Sequence, residues 1–294
     1  MIKLKNWSKF KVERLSYSSA LKRAFLMLKQ QDKYPEDAEY LMEELTGFNY
    51  TQLQLHRNDP VPGKIMRRFR DGVVRLVMDE PVQYILGYGY FMNKSFTVSQ
   101  DTLIPRQETE EMVQKIIDDH DTRAKNIWDI GTGSGVIAIS LALKFPDDDI
   151  LATDISEGAL KIAQLNADNY QANNVFLKQS DLFQSVKPEP FDIIVSNPPY
   201  ISQREKSVMD QSVIKYEPDL ALYGEQNGLE FYKDISSSAD NYLSEYGILY
   251  MEFGYQQKSA LEEIFAKNMP EYNVEFHKDM SGNYRYLKAE KERV

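Results

Sequence analysis

The segment Asn197-Pro198-Pro199-Tyr200 has the residue types needed to hold a planar amino group. Two successive prolines lack backbone N–H groups and have a fixed φ, so the Pro198 carbonyl is left to accept a hydrogen bond from a ligand. The side-chain oxygen of Asn197 is a second acceptor beside it, and the Tyr200 ring offers a face for stacking. The motif therefore predicts a clamp for both hydrogens of an –NH2 group, the alternative being a rigid turn that only ends a strand.

A glycine-rich turn lies upstream of this clamp, between an apolar run and a helical pattern. It consists of Gly131, Thr132, Gly133, Ser134 and Gly135. Glycines let the backbone turn tightly and bring N–H groups close to a ligand at the start of a helix. Val136 stands where a dinucleotide-binding fingerprint has its third glycine, which argues against NAD or FAD. The turn therefore predicts a site for a nucleotide-like ligand without a pyrophosphate.

Two acidic residues follow the glycine-rich turn at the ends of predicted strands. Asp154 lies about twenty residues beyond the turn, where a carboxylate can accept hydrogen bonds from both hydroxyls of a ribose. Asp181 follows the next predicted strand, where it can accept from an adenine amino group. The alternative for each is a carboxylate that only caps a strand or helix. Together with the glycines, the acids favour nucleotide binding.

Strand and helix patterns alternate through the second half of the chain. The predicted strands are 127–130, 150–153, 175–178, 192–196 and 248–253. Helices are predicted at 136–145 and after Ser156, which is a good N-cap residue. Such alternation predicts an α/β fold, a mainly parallel, doubly wound sheet with helices on both faces.

The first eighty residues carry a different pattern, apolar residues at helical spacing. Leu21, Ala24, Phe25 and Leu28 form one stripe, 38–45 carries a second and 66–77 a third. The sequence therefore predicts a small helical bundle. Its third helix also carries basic residues, at Lys64, Arg67, Arg68, Arg70 and Arg75. These form either a solvated face or a docking patch for an RNA or protein partner.

Residues 80–99 change character again. Aromatic and β-branched residues, Tyr84 and Ile85 among them, are interrupted by Gly87 and Gly89, which predicts a short hairpin. We therefore expect three parts: a helical substrate-recognition domain at 1–80, a hairpin linker at 81–105 and the α/β domain at 106–294.

Composition excludes several classes of function. The chain has 294 residues, a net charge of −10 and no cysteine, so disulfides, thiolate zinc sites and cysteine nucleophiles are excluded. His56, His120 and His277 have no metal-ligand spacing, and we expect no metal. The acidic balance argues against a stable nucleic-acid partner. No apolar run is long enough to cross a membrane, and no signal peptide is apparent, so we expect a cytoplasmic protein.

Taken together, these motifs resemble the S-adenosylmethionine-dependent amino-methyltransferases, and the whole chain resembles the bacterial release-factor glutamine methyltransferases of the HemK/PrmC type. The additional motifs that carry this resemblance are Asp37-Ala38-Glu39, the segment 80–87, Leu103-Ile104-Pro105-Arg106 with Thr109-Glu110, Tyr216-Glu217-Pro218 with Ala221-Leu222, Asn227-Gly228-Leu229, and Asp279 with Gly282 and Arg285. Two positions depart from the family pattern, Gln107 after Arg106 and Phe253 in a Glu-Phe-Gly segment. Neither lies in the clamp.

The resemblance implies a Rossmann-like, seven-stranded methyltransferase sheet and a defined reaction. A methyl group would pass from S-adenosylmethionine to the side-chain amide of the glutamine in the Gly-Gly-Gln motif of class I peptide-chain release factors, leaving S-adenosylhomocysteine. The implied catalytic residues are Asn197, Pro198, Pro199 and Tyr200. The implied cofactor-binding residues are Gly131, Thr132, Gly133, Ser134, Gly135, Asp154, Asp181, Leu182, Asn197, Thr109 and Glu110.

An amide nitrogen is a poor nucleophile, so catalysis must come from positioning and from acceptors aimed at the charge that develops. Two other functions stay open at this point. One is methylation of an adenine or cytosine amino group in RNA or DNA, which the same clamp would serve. The other is a protein that binds the cofactor without catalysis, which an intact Asn-Pro-Pro-Tyr motif disfavours.

Overall fold

A computed structural model describes residues 15–121, 123 and 125–291. The chain folds into two compact units, and the boundary between them in the sequence lies between Leu86 and Gly87. This division falls inside the segment 81–105 that the sequence predicts to be a linker. The hairpin of that segment belongs to the second unit.

The first unit consists of helices, as the apolar stripes predict. Its helices are α1 (Tyr17–Lys29), α2 (Glu36–Thr46), α3 (Tyr50–Leu55), α4 (Gly63–Val77) and α5 (Val82–Leu86). Ser16 caps α1 by accepting from the Ser19 amide, and Asn49 with Gln52 forms a capping box at α3. Helix α2 ends at Gly47, whose φ of +71° is the left-handed conformation that favours glycine.

The core of this unit is made by the predicted stripes. Leu28, Leu41, Met42, Phe69 and Val73 are all buried in one apolar cluster. The sequence prediction was wrong for two residues here. Tyr84 and Ile85 lie in the short helix α5, because Val82 and Ile85 pack against the helical cluster in place of pairing with a strand.

The basic helix α4 divides its charged residues between two roles. Arg75 forms an ion pair with Glu80 at 2.5 Å and donates to the Tyr84 carbonyl at 3.2 Å, so it fastens the chain that follows the helix. Lys64, Arg67 and Arg68 are exposed on the same helix. The two interpretations from the sequence, a solvated face or a docking patch, therefore apply to these three residues and to the half-buried Arg70.

The second unit contains a hairpin and a seven-stranded sheet. Its strands are β1 (Tyr88–Phe91), β2 (Lys94–Thr97), β3 (Asn126–Ile130), β4 (Asp149–Asp154), β5 (Val175–Gln179), β6 (Phe191–Ser196), β7 (Leu243–Glu252), β8 (Tyr272–Lys278) and β9 (Tyr284–Lys291). β1 and β2 form the predicted hairpin, whose turn residues Met92 and Asn93 both have positive φ. Phe91 and Phe96 of this hairpin are fully buried.

Helices and turns connect these strands. They are α6 (Gln107–Asp119), α7 (Val136–Lys144), α8 (Glu157–Tyr170), α9 (Gln211–Tyr216), α10 (Asp219–Leu222), a turn at Glu225–Gly228, α11 (Glu230–Ser238) and α12 (Lys258–Asn268), with 3-10 turns at Gln203–Val208 and Ala239–Asn241. One face of the sheet packs on α6, α7 and α8, and the other on α11 and α12. Helices on both faces confirm the doubly wound α/β fold.

The strand order of the large sheet is β5-β4-β3-β6-β7-β9-β8. Strands β3 to β7 run parallel, whereas β9 lies antiparallel between β7 and β8. The order reverses between β3 and β6, and ligands of open α/β sheets bind at such a switch point, beyond the carboxyl ends of the strands.

Candidate active site

The sequence motifs converge at this switch point. The glycine-rich turn follows β3, Asp154 ends β4, Asp181 follows β5 and Asn197 follows β6. Because these strands are parallel neighbours, their carboxyl ends lie at one edge of the sheet. The fold therefore brings the predicted nucleotide site and the predicted amino clamp together.

The glycine-rich turn is held by backbone hydrogen bonds. The amides of Gly131 and Thr132 both donate to the Thr153 carbonyl at 2.9 Å. Gly135, at the start of α7, has a φ of +82°, and a Cβ there would lie 3.2 Å from the Ala163 Cβ. This glycine therefore permits close packing of the turn against α8.

Asp154 braces the same turn. One of its carboxylate oxygens accepts from the Gly133 amide and the other from the Ser156 amide, both at 2.9 Å. Burial raises the pKa of Asp154, while these backbone amides counteract the rise. Each carboxylate oxygen keeps a lone pair for a further donor, and Asp154 lies on the wall of a cavity.

A second carboxylate lies beneath the turn. Asp129 is fully buried and accepts from the Thr132 hydroxyl at 2.7 Å and from the Ala138 amide at 3.2 Å. Burial raises its pKa to about 7. Asp129 thus ties the glycine-rich turn to the first turn of α7.

A cavity of about 470 Å³ opens above these residues. The predicted site residues on its wall are Thr109, Gly131, Thr132, Gly133, Ser134, Asp154, Asp181, Leu182, Asn197, Pro198 and Pro199. Helix α11 adds Glu230, Phe231 and Asp234, which sequence reasoning did not identify. A volume of this size lies in the usual range for small-molecule sites, roughly 300–1,000 Å³.

Three predicted site residues do not contribute to this wall. Gly135 lies behind the turn and packs against α8. Glu110 follows Thr109 on α6, and successive side chains of a helix point about 100° apart, so Glu110 faces away. Tyr200 lies on a different cavity.

A second, smaller cavity of about 200 Å³ adjoins the first. The two cavities share Leu103, Arg106, Asn197, Pro198 and Ala221 as wall residues. Asn197 and Pro198 therefore stand where the cavities meet. Tyr200 lines only the smaller one. No hydrogen bond among the described residues reaches the Pro198 carbonyl.

A chain of side-chain hydrogen bonds holds Asn197. Its Nδ2 donates to the Thr109 hydroxyl at 3.1 Å, and that hydroxyl donates to the Glu252 carboxylate at 2.6 Å. The Tyr200 hydroxyl donates to the other Glu252 oxygen at 3.4 Å. The chain links α6, the segment after β6 and the end of β7.

Glu252 is the buried acid among these hydrogen-bonded side chains. It is 1% exposed, and burial raises its pKa to about 7, while the Thr109 hydrogen bond and the Arg285 guanidinium counteract the rise. Burial likewise raises the pKa of Tyr200, with the negative charge of Glu252 adding to the shift. Tyr200 is therefore a neutral donor at physiological pH.

An ion pair holds Arg106, which lines both cavities. Arg106 contacts Glu217 at 2.5 Å, and the other Glu217 oxygen accepts from the Ile104 amide at 3.2 Å. Glu217 is nearly fully buried. The pair joins two motifs of the sequence, the segments 103–106 and 216–218, which lie more than a hundred residues apart.

We also searched the described part of the chain for metal sites and membrane helices. In that part, no group of three or more His, Asp or Glu side chains is arranged to hold a metal ion. All three histidines lie beside carboxylates: His56 and His120 are hydrogen-bonded to Asp59 and Asp148 at 2.8 Å, and His277 lies 3.5 Å from Glu275. None of the described helices combines the length and apolar content needed to span a bilayer.

Sequence reasoning missed Glu252 and Glu217. Glu252 lies in the Glu-Phe-Gly segment and Glu217 in a motif of the family resemblance, but neither is predicted from the sequence to be a site residue. A signal was present for Glu252: a lone acid at the end of an apolar run, at the same sheet edge as the motifs. Its partner Thr109 lies 143 residues away, so pairing could not be read from spacing.

Two family models match the chain. The model described as "Methyltransferase small domain" matches residues 107–220, and the one described as "PrmC N-terminal domain" matches residues 19–87. Among solved structures, the hMettl16 catalytic domain in complex with MAT2A 3'UTR hairpin 1 superposes with a TM-score of 0.54 at 17% identity, over 87% of this chain and 91% of that chain. At this identity the likeness concerns the fold alone.

Curated relatives are much more similar in sequence. A release factor glutamine methyltransferase of Enterococcus faecalis is 38% identical over 93% of this chain and 99% of its own length. One of Lactococcus lactis is 40% identical over 86% of this chain and 93% of its own length. Identity at this level over both units, together with the two matching models, shows that this chain belongs to the release factor glutamine methyltransferase family.

Proposed function

We propose that this protein transfers a methyl group from S-adenosylmethionine to the side-chain amide nitrogen of the glutamine in the Gly-Gly-Gln motif of class I peptide-chain release factors. The names of its relatives support the choice of substrate. The observation that carries the proposal is the position of Asn197 and Pro198. They present two hydrogen-bond acceptors at the junction of a large cavity and a small one.

The larger cavity fits the proposed cofactor by its chemistry. Asp154 would accept from the ribose hydroxyls, and Asp181 with Leu182 would border the adenine. The glycine-rich turn would surround the methionine part, with Thr109 close to the same end. When bound, S-adenosylmethionine supplies an electrophilic methyl group attached to a sulfonium.

The smaller cavity fits a glutamine side chain. Its wall combines apolar residues for the methylene stem, among them Met209, Val213 and Leu222, with the polar clamp at one end. Asn197 Oδ1 and the Pro198 carbonyl would accept the two amide hydrogens. The Tyr200 ring would stack on the amide plane.

The clamp would work by orientation and by charge. Holding both hydrogens fixes the nitrogen so that it faces the larger cavity, which removes much of the entropic cost of alignment. As the nitrogen begins to carry positive charge, the two fixed oxygens stabilise it. The proton then leaves after the methyl group has been transferred, so the clamp itself needs no general base.

We also propose where the reaction takes place and what the first unit does. A cytoplasmic location follows from the proposed substrates, which are soluble translation factors. The first unit would recognise the release factor, with the exposed basic residues of α4 facing the partner. A stable nucleic-acid partner is not expected because the net charge is −10.

The test is methyl transfer to three substrates in parallel, using radiolabelled S-adenosylmethionine. The substrates are a purified class I release factor, the same factor with its Gly-Gly-Gln glutamine replaced, and total RNA with DNA. Label on the intact factor alone supports the proposal. Label on nucleic acid with a blank release factor would overturn it and assign the clamp to a base.

A further inference from the structure

The clamp requires one particular orientation of the Asn197 side chain. A carboxamide has an acceptor oxygen and a donor NH2 group of nearly equal size. Only the oxygen can receive a hydrogen from a substrate –NH2 group. If the group turned over, two donors would face each other and the clamp would be lost. Something must therefore fix which end of Asn197 faces the cavity.

The buried neighbours of Asn197 supply this fixation. An ionised carboxylate accepts hydrogen bonds and donates none, so the Thr109 hydroxyl must point its only hydrogen at Glu252, 2.6 Å away. Toward Asn197 the same hydroxyl then offers only a lone pair. A lone pair can pair with Nδ2 but not with Oδ1, as the 3.1 Å contact shows.

We propose that Glu252, acting through Thr109, sets the orientation of the Asn197 side chain and so makes its oxygen available to the substrate. Glu252 lines neither cavity, so it is a positioning residue and not a catalytic one. The inference rests on the proposed function for the identity of the substrate. The orientation of Asn197 itself does not depend on it.

The hydrogen bonds that link Asn197, Thr109 and Glu252 can exchange donors and acceptors when Glu252 is protonated. A neutral carboxyl group can donate to the Thr109 oxygen, which frees the Thr109 hydrogen to point at Asn197. The Asn197 oxygen would then turn toward Thr109, and its NH2 group would face the substrate. Protonation of one buried acid therefore disables a clamp that the acid does not touch.

The surroundings of Glu252 determine the pH at which this reversal occurs. Its pKa is raised to about 7, mainly by burial and in part by Glu108 of α6, while Arg285 of β9 counteracts the rise. Tyr200 and Thr109 donate to its carboxylate, and the Tyr232 hydroxyl donates to its backbone carbonyl. Since the ionised form is the active one, turnover should fall as the pH drops through the Glu252 pKa.

The first test observes Asn197 directly, without cofactor or substrate. The protein is labelled with 15N-asparagine, and the Asn197 NH2 signals are identified by their loss in Asn197→Ser. In the wild-type protein we expect these signals to shift with pH around neutrality, and in Glu252→Gln we expect no such shift. Asn166 is an internal control, because its side chain is held by Thr97 and Ser134 backbone atoms alone.

The second test measures kcat, KM and their pH dependence. Thr109→Val keeps the shape but removes the hydroxyl, and it should lower kcat about 10- to 100-fold, the loss of one hydrogen bond to a charged group. Thr109→Ser keeps a hydroxyl, so its kcat should be close to that of the wild-type protein. Glu252→Gln can donate or accept, so it should lower kcat about tenfold near pH 8 and remove the acidic decline that Glu252 causes. KM for the release factor should stay the same in all of these.

Controls separate positioning from folding. Asp148→Asn removes an equally buried acid, one that pairs with His120, and it should leave kcat unchanged. Melting temperature and S-adenosylhomocysteine affinity report on folding and on the larger cavity.

A Glu252→Gln protein that keeps the wild-type kcat and the decline of kcat at acidic pH would overturn the inference, as would Asn197 signals that do not titrate. If no release factor is methylated at all, the proposed function fails while the signals still decide the orientation.

Discussion

The two halves of the candidate active site are built in different ways. The nucleotide half is held mainly through the backbone amides of one turn: those of Gly131 and Thr132 donate to the Thr153 carbonyl, and that of Gly133 donates to the Asp154 carboxylate. The clamp half depends on side chains, because Asn197 is held by Thr109 and Thr109 by Glu252.

This contrast explains how each half responds to change. A turn that is held at several backbone amides keeps most of its shape when one side chain is replaced, whereas a series of linked side chains fails when any member is replaced. It also separates binding from turnover. We expect changes in the nucleotide half to alter cofactor affinity and changes in the clamp half to alter kcat, and the predictions below test that division.

The largest effect is expected for Asn197→Ala. It removes one of two fixed acceptors for the developing charge, and loss of one such group typically lowers kcat about 100- to 1,000-fold. S-adenosylhomocysteine affinity should stay close to the wild-type value, measured by calorimetry. Asn174→Ala is the matched control, since this asparagine binds the Phe145 and Asp148 carbonyls at the opposite end of the sheet. Retained turnover in Asn197→Ala would remove the clamp from the reaction.

A smaller effect, of the opposite kind, is expected for Asp154→Ala. The change removes a carboxylate that braces Gly133 and faces the larger cavity, so cofactor affinity should fall about 10- to 100-fold. Turnover at saturating cofactor should be largely kept. Asp168→Ala is the control, because it removes an exposed acid of α8. An unchanged affinity by calorimetry would exclude Asp154 from the cofactor site.

The division also determines how much the sequence could predict. The parallel strands, the glycine-rich turn and the Ser156 cap are local patterns, and the structure confirms them. The last two strands were not identified from their own pattern. β8 alternates Tyr272, Val274 and Phe276 with Asn273 and Glu275, so its strand pattern is present in the sequence, although none of its residues is fully buried at this edge of the sheet. The seven-stranded count came from the family resemblance, and the structure confirms it.

Long-range pairs were beyond prediction for a physical reason. Glu252 and Thr109 are joined only by the fold, and so are Arg106 and Glu217. Nothing in local spacing distinguishes an acid that will be buried beside a hydroxyl from one that will cap a strand. Ile85 shows the same limit in secondary structure, because packing against the helical core overrode its β propensity.

The smallest effect is expected for Gly135→Ala, and it tests whether the nucleotide half is fixed by packing as well as by hydrogen bonds. A Cβ at this position would lie 2.9 Å from the Ile139 side chain and 3.2 Å from Ala163, on a residue with a φ of +82°. The strain should lower the free energy of unfolding by about 1–3 kcal/mol. Gly63→Ala is the control, because the nearest atom to its Cβ is a flexible Arg67 nitrogen at 4.0 Å.

Since Gly135 is not on the cavity wall, Gly135→Ala should lower the stability in thermal unfolding but should reduce cofactor affinity less than Asp154→Ala does. An affinity loss as large as that of Asp154→Ala would mean that the position of the turn, and not the carboxylate, determines cofactor binding.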